Sequence, residues 1–130
     1  MRADSAAKVM VVEDEQIIRM IIRQILKQLG FMHVREVFTG DQALAELQSE
    51  RYDLVVTDLN MPGLTGLELL KCIRNDAALY RLPVLVVTAD STQPIIQEAI
   101  QAGAQGYIVK PFTAEVFKQK LARIFPHLDQ

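Results

Sequence analysis

Leu54-Val55-Val56-Thr57-Asp58-Leu59-Asn60-Met61-Pro62-Gly63 runs from an apolar strand into a turn, with a carboxylate at the junction. The four residues before Asp58 suit a strand covered on both faces. Pro62 and Gly63 punctuate the turn. A carboxylate at the tip of a buried strand, facing a loop, is placed for chemistry rather than packing. Three other apolar runs end the same way: Val9 to Val12 on Glu13 and Asp14, Val84 to Val87 on Thr88, and Tyr107 to Val109 on Lys110. If these runs are parallel strands, their carboxyl ends gather in one place.

Working outward, the predicted strands are Val9 to Val12, Val34 to Phe38, Leu54 to Thr57, Val84 to Thr88 and Gly106 to Val109. Segments of helical period separate them. Ile17, Ile18, Ile21, Ile22, Ile25, Leu26 and Leu29 repeat at helical spacing up to Gly30. Ala43, Leu44 and Leu47 mark a second helix after Thr39 and Gly40, and Leu67, Leu70 and Ile73 a third. Ile95, Ile96, Ala99 and Ile100 mark a fourth, with Pro94 near its start and Gly103 beyond its end. The fifth carries Phe117, Leu121 and Ile124, with Thr113 as N-cap and Pro126 as stop. Five strand-then-helix units with right-handed crossovers make an α/β fold, a doubly wound parallel sheet; if the first strand is central, with the second on one side and the third on the other, its order is the flavodoxin-like 2-1-3-4-5. Ligands of such sheets bind beyond the strands' carboxyl ends, where the strand order reverses. In that order, the point lies between Glu13/Asp14 and Asp58.

The chain has 130 residues, enough for one domain with a real core, and no linker or repeat divides it. Its formal net charge of −2 attracts neither nucleic acid nor an anionic membrane globally. No apolar run approaches the roughly 20 residues of a membrane helix, and Asp4 and Lys8 interrupt any signal peptide. The single cysteine, Cys72, cannot form an internal disulfide, which suits a reducing cytoplasm; it reads as a small buried hydrophobe. His33 and His127 read as surface residues.

Glu13, Asp14 and Asp58 together crowd three carboxylates. Two unit charges about 4 Å apart repel by about 4 kcal/mol at an effective dielectric near 20. Such a cluster holds a proton or a cation. With hard oxygen donors and no His or Cys in the pattern, Mg²⁺ fits better than zinc, and the backbone carbonyl of Asn60 is a further candidate ligand. Lys110 adds a positive charge and Thr88 a hydroxyl. The set suits attack by Asp58 on an activated phosphoryl group, giving an aspartyl-phosphate.

These residues resemble a response-regulator receiver domain of bacterial two-component systems, over about residues 8 to 125. The matching motifs are Val11-Val12-Glu13-Asp14, Asp58 to Gly63, Val87-Thr88-Ala89, and Gly103-Ala104 through Gly106 to Phe112. Gly66 to Lys71 and Gln101 to Ala104 add a likeness to CheY-like single-domain regulators. The resemblance implies that Asp58 accepts phosphate from a histidine kinase or histidine phosphotransfer protein. It implies that Glu13, Asp14 and Asp58 hold Mg²⁺ with the Asn60 carbonyl, and that Lys110 contacts the phosphoryl group. Thr88 would move toward the phosphate, Tyr107 would turn inward behind it, and the Lys110–Pro111 bond would be cis. The fourth helix, fifth strand and fifth helix would form the output face for a downstream protein. The domain would catalyse only its own phosphorylation and slow autodephosphorylation, as a monomer or weak dimer in the cytoplasm. Two departures stand out. Glu13 replaces the Asp common in CheY-like proteins, and Ala89 to Pro94 lacks a lysine pair that CheY carries at the edge of its motor-binding face.

Other readings fit less well. An FMN protein needs a glycine- and hydroxyl-rich loop after its first strand, where Glu13-Asp14-Glu15 stands. A haloacid dehalogenase-type phosphohydrolase needs a second Asp two residues after the nucleophile, where Asn60 stands. A phosphate sink or relay without an output target, or the N-terminal fragment of a longer regulator, keeps the same residues. A stand-alone receiver is the expectation for the whole chain.

Overall fold

The computed structural model describes residues 6–90 and 92–126. His127 and the tail after it, Asp4 and Ser91 lie outside the described residues. The strands are β1 (Lys8–Val12), β2 (His33–Val37), β3 (Leu54–Asp58), β4 (Val84–Thr88) and β5 (Gly106–Val109). The helices are α1 (Gln16–Gln28), α2 (Gly40–Ser49), α3 (Gly66–Asn75), α4 (Gln93–Gln101) and α5 (Ala114–Ala122). All pairings are parallel and the order is β2-β1-β3-β4-β5, so the doubly wound sheet expected from the sequence is the one formed.

Strand alternation divides the core into two layers. Val9, Val11, Leu54, Val56, Leu85, Val87 and Ile108 face one way, against Ile22, Ile25 and Leu26 of α1 and Phe117 and Leu121 of α5. Met10, Val12, Val55, Val84 and Val86 face the other, against α2, α3 and α4 through Ala43, Leu47, Leu69, Leu70, Ile73 and Ala99. Burial on both faces explains why β3 and β4 are buried at every position.

Helix starts follow local chemistry. Thr39, Thr65 and Thr113 cap α2, α3 and α5 by accepting from the N–H groups of Gln42, Glu68 and Val116. Thr65 and Glu68 complete a capping box. Gly30 and Gly103, at φ of 104° and 105°, let the chain leave α1 and α4. Gly66 matters most for the site: a Cβ there would lie 1.9 Å from the Asp58 carbonyl oxygen, so only glycine lets α3 start so close to the end of β3.

The structure corrects several expectations. The strand β2 ends at Val37, and Phe38 turns outward, half exposed, beneath the Arg19 guanidinium. The apolar stripe of α1 is wider than the face the sheet covers, so Ile17 and Ile21 are exposed. The fifth helix ends at Ala122, before Pro126, and Ile124 and Phe125 pack on the core in a turn. Cys72 is half-buried rather than buried, and His33 is exposed as expected. Among the described residues no helix is long and apolar enough to cross a membrane.

Candidate functional site

Four strand ends build the site. Glu13 directly follows β1, and its N–H donates to the Val37 carbonyl of β2 at 3.1 Å. Asp58 is the last residue of β3, Thr88 the last of β4, and Lys110 follows β5 with its N–H donating to the Thr88 carbonyl at 2.8 Å. The parallel register thus carries residues far apart in sequence to one edge.

One carboxylate oxygen each from Glu13, Asp14 and Asp58 lies within 4.8 Å of the others. Glu13 and Asp58 are buried, while Asp14 is exposed. The Lys110 Nζ donates to Asp58 Oδ2 at 3.1 Å. It also lies 3.0 Å from Glu13 Oε1 and 3.6 Å from Glu15 Oε1. Asp58 Oδ1 accepts the Asn60 N–H at 3.1 Å. Glu13 Oε2 accepts the Glu15 N–H at 3.2 Å.

The electrostatics are unbalanced. Burial pushes the Glu13 carboxyl up to about 7; the Lys110 ammonium and the Glu15 N–H pull it down without cancelling that, and the Asp58 charge adds to the rise. Burial works against the Lys110 charge, but Glu13 and Asp58 outweigh it and hold the ammonium above its ordinary value. Glu13 Oε1 is buried and makes no aligned hydrogen bond despite the lysine beside it. An oxygen-only donor set around such an atom fits a hard divalent cation. The donors that fit are Glu13, Asp14 and Asp58.

The remaining candidates divide. Asn60 is exposed beside Asp58, where its N–H is already engaged. The Thr88 hydroxyl is held in its own loop, accepting the Asp90 N–H at 3.0 Å and donating to the Asp90 carbonyl at 3.3 Å. Asp90 Oδ1 in turn accepts the Thr92 N–H, which holds its carboxyl below the usual range. Tyr107 is half-buried in β5, with the Lys120 ammonium 4.6 Å from its ring centre. The Lys110–Pro111 bond is cis.

Two neighbours went unassigned in the sequence. Glu15 reaches Lys110, and Arg19 Nη1 donates to the Glu13 carbonyl at 2.8 Å. Their signal is spacing alone: Glu15 is two residues past Glu13, and Arg19 one helical turn further on.

The response regulator receiver domain family matches residues 9–122 of the chain. The chain is 47% identical over 122 residues to the chemotaxis protein CheY of Pseudomonas aeruginosa, covering 94% of this chain and 98% of that one. A solved structure of the chemotaxis response regulator CheY4 of Vibrio cholerae superposes with a TM-score of 0.84 at 35% identity, covering 91% of this chain and 98% of that one. The receiver domain of the sensor histidine kinase PA1611 of P. aeruginosa, solved with magnesium coordinated in its active-site cleft, superposes with a TM-score of 0.83. Its identity is 29%, over 92% of this chain and 98% of that one.

Proposed function

The chain belongs to the response regulator receiver domain family, CheY-like in character, and on that premise we propose that it is a phosphorylation-controlled binding module with Asp58 as the phosphoryl acceptor. The donor is the phosphohistidine of a kinase or a histidine phosphotransfer protein. An Asp58 carboxylate oxygen attacks phosphorus, the bond to the donor imidazole nitrogen breaks, and the nitrogen keeps that electron pair. The observation that carries this reading is the convergence of the Glu13, Asp14 and Asp58 carboxylates within 4.8 Å, with Lys110 bridging Glu13 and Asp58.

Each residue has a task that its position supports. Glu13 and Asp14 join Asp58 in holding Mg²⁺, with the Asn60 carbonyl as a fourth protein oxygen. Bound there, Mg²⁺ supplies charge neutralisation for phosphoryl oxygens. Lys110 already spans the carboxylates and turns to the transferred group. Thr88 exchanges its hydrogen bonds with Asp90 for one to a phosphoryl oxygen. That exchange frees the loop leading to α4 and lets Tyr107 move inward, a population shift rather than a new fold. The face of α4, β5 and α5 carries the change to a downstream protein. The domain turns over only its own phosphoryl group, works as a monomer or weak dimer in the cytoplasm, and needs neither nucleic acid nor membrane.

Treatment with phosphoramidate and Mg²⁺, followed by intact-mass measurement, tests this reading. The expected result is one phosphoryl adduct on the wild-type chain and none on Asp58→Ala. Stoichiometric label on Asp58→Ala would remove Asp58 from its role.

A further inference from the structure

Glu13 leaves β1 and enters a short connection whose helix, α1, begins without a side-chain cap at Glu15. Little local structure therefore fixes its backbone. Two longer-range contacts do. Its N–H is held by the Val37 carbonyl at 3.1 Å, and its carbonyl by Arg19 Nη1 at 2.8 Å. We propose that Arg19 is a positioning residue for the cation site, bracing the Glu13 backbone and so setting where its carboxylate meets the ion. The role rests on the reading of the site given above.

Arg19 is built for this. Its guanidinium carbon lies 4.2 Å from the centre of the Phe38 ring, and its Nε lies 3.4 Å from Glu36 Oε1. Its side chain is 12% exposed, well sequestered for an arginine beginning an outer helix. Stacking on the Phe38 ring and the Glu36 charge hold the planar fork in place, although the buried Nε makes no aligned hydrogen bond, and Nη1 reaches the Glu13 carbonyl. Glu36 sits on β2 opposite Val11, so the brace ties the end of β1 to the neighbouring strand. Glu13 Oε2 is occupied by the Glu15 N–H, so the free direction of the carboxylate is that of Oε1, toward Lys110 and Asp58. A backbone shift at Glu13 would swing that oxygen away from the other carboxylates. Groups that orient metal ligands in this way commonly change affinity by about 10- to 100-fold when removed.

Mg²⁺ titration calorimetry on the metal-free full chain tests the role, with urea denaturation run in parallel on wild type, Arg19→Gln and Arg19→Lys. The expected result is a Kd about 10-fold weaker for Arg19→Gln. A smaller loss is expected for Arg19→Lys, which keeps the charge and a donor but not the fork. Should Arg19→Gln not fold, the Arg19→Lys titration decides. Weakened folding with an unchanged Kd would overturn the positioning role and leave Arg19 a stabilising contact only. Absence of Mg²⁺ binding by the wild type would overturn both this role and the reading of the site.

Discussion

Two charged clusters sit at opposite ends of the sheet and are treated differently. At the carboxyl end, a single ammonium, that of Lys110, serves Glu13, Glu15 and Asp58. At the amino end, Arg74 spreads its donors over the Gly103, Tyr80 and Leu82 carbonyls and the Gln105 side-chain oxygen. That Gln105 oxygen also accepts the Val84 N–H at the start of β4. Among the described residues no carboxylate pairs with Arg74, and burial alone lowers its pKa from the ordinary value. The arginine is a satisfied cation that locks three segments together. The carboxylates are crowded, with one buried oxygen lacking an aligned donor. On the function proposed above, the difference separates a charge kept for stability from charges kept for a ligand.

The largest effect should come from breaking the satisfied end. Arg74→Met removes every one of those bonds and strands half-buried carbonyls, so a loss of about 3 kcal/mol in urea denaturation is expected. Phosphoryl labelling of Asp58, measured where the variant remains folded, should persist. Loss of labelling in a folded Arg74→Met protein would mean that the two ends are not separable.

The unsatisfied end should show itself through pH. The folded-state pKa of Glu13 is raised to about 7 from an ordinary 4.5, so the native state binds this proton more tightly than the unfolded chain. In metal-free buffer its contribution therefore favours folding as pH falls through 7 toward 4.5, and opposes it above 7. A gain on the order of 1–2 kcal/mol is expected between about pH 8 and about pH 5.5, and Glu13→Gln should flatten it. A wild-type profile no steeper than that of Glu13→Gln would show that Glu13 is not held in a hostile environment.

Much of this was legible in the residues. The runs ending at Asp58 and Thr88 are apolar on both faces, which signals a parallel sheet from sequence alone. Glu13, Asp14, Asp58 and Lys110 could be grouped because each ends or follows such a run. What escaped were contacts set by side-chain direction. Nothing in the order of residues says that Phe38 leaves the strand to lie under Arg19, or that Ile17 and Ile21 face outward from an otherwise buried stripe. The resting position of Thr88 was also hidden, because its partner is a backbone group two residues away and not another side chain of the motif. Arg74 lies on a helix whose apolar period is plain in the sequence, yet its acceptors lie in the loop just beyond that helix and in the loop after α4.

If the carboxylate cluster is built to hold a cation and a phosphoryl group, it weakens the metal-free fold. Urea denaturation of wild type and Asp58→Asn, each with and without Mg²⁺, tests it most directly. Asparagine keeps an acceptor for the Asn60 N–H while removing one like charge. The expected result is a variant more stable than wild type by about 1 kcal/mol without Mg²⁺, and a wild type that gains more from the ion by mass action. A variant less stable than wild type in metal-free buffer, with both proteins stabilised equally by Mg²⁺, would contradict the account.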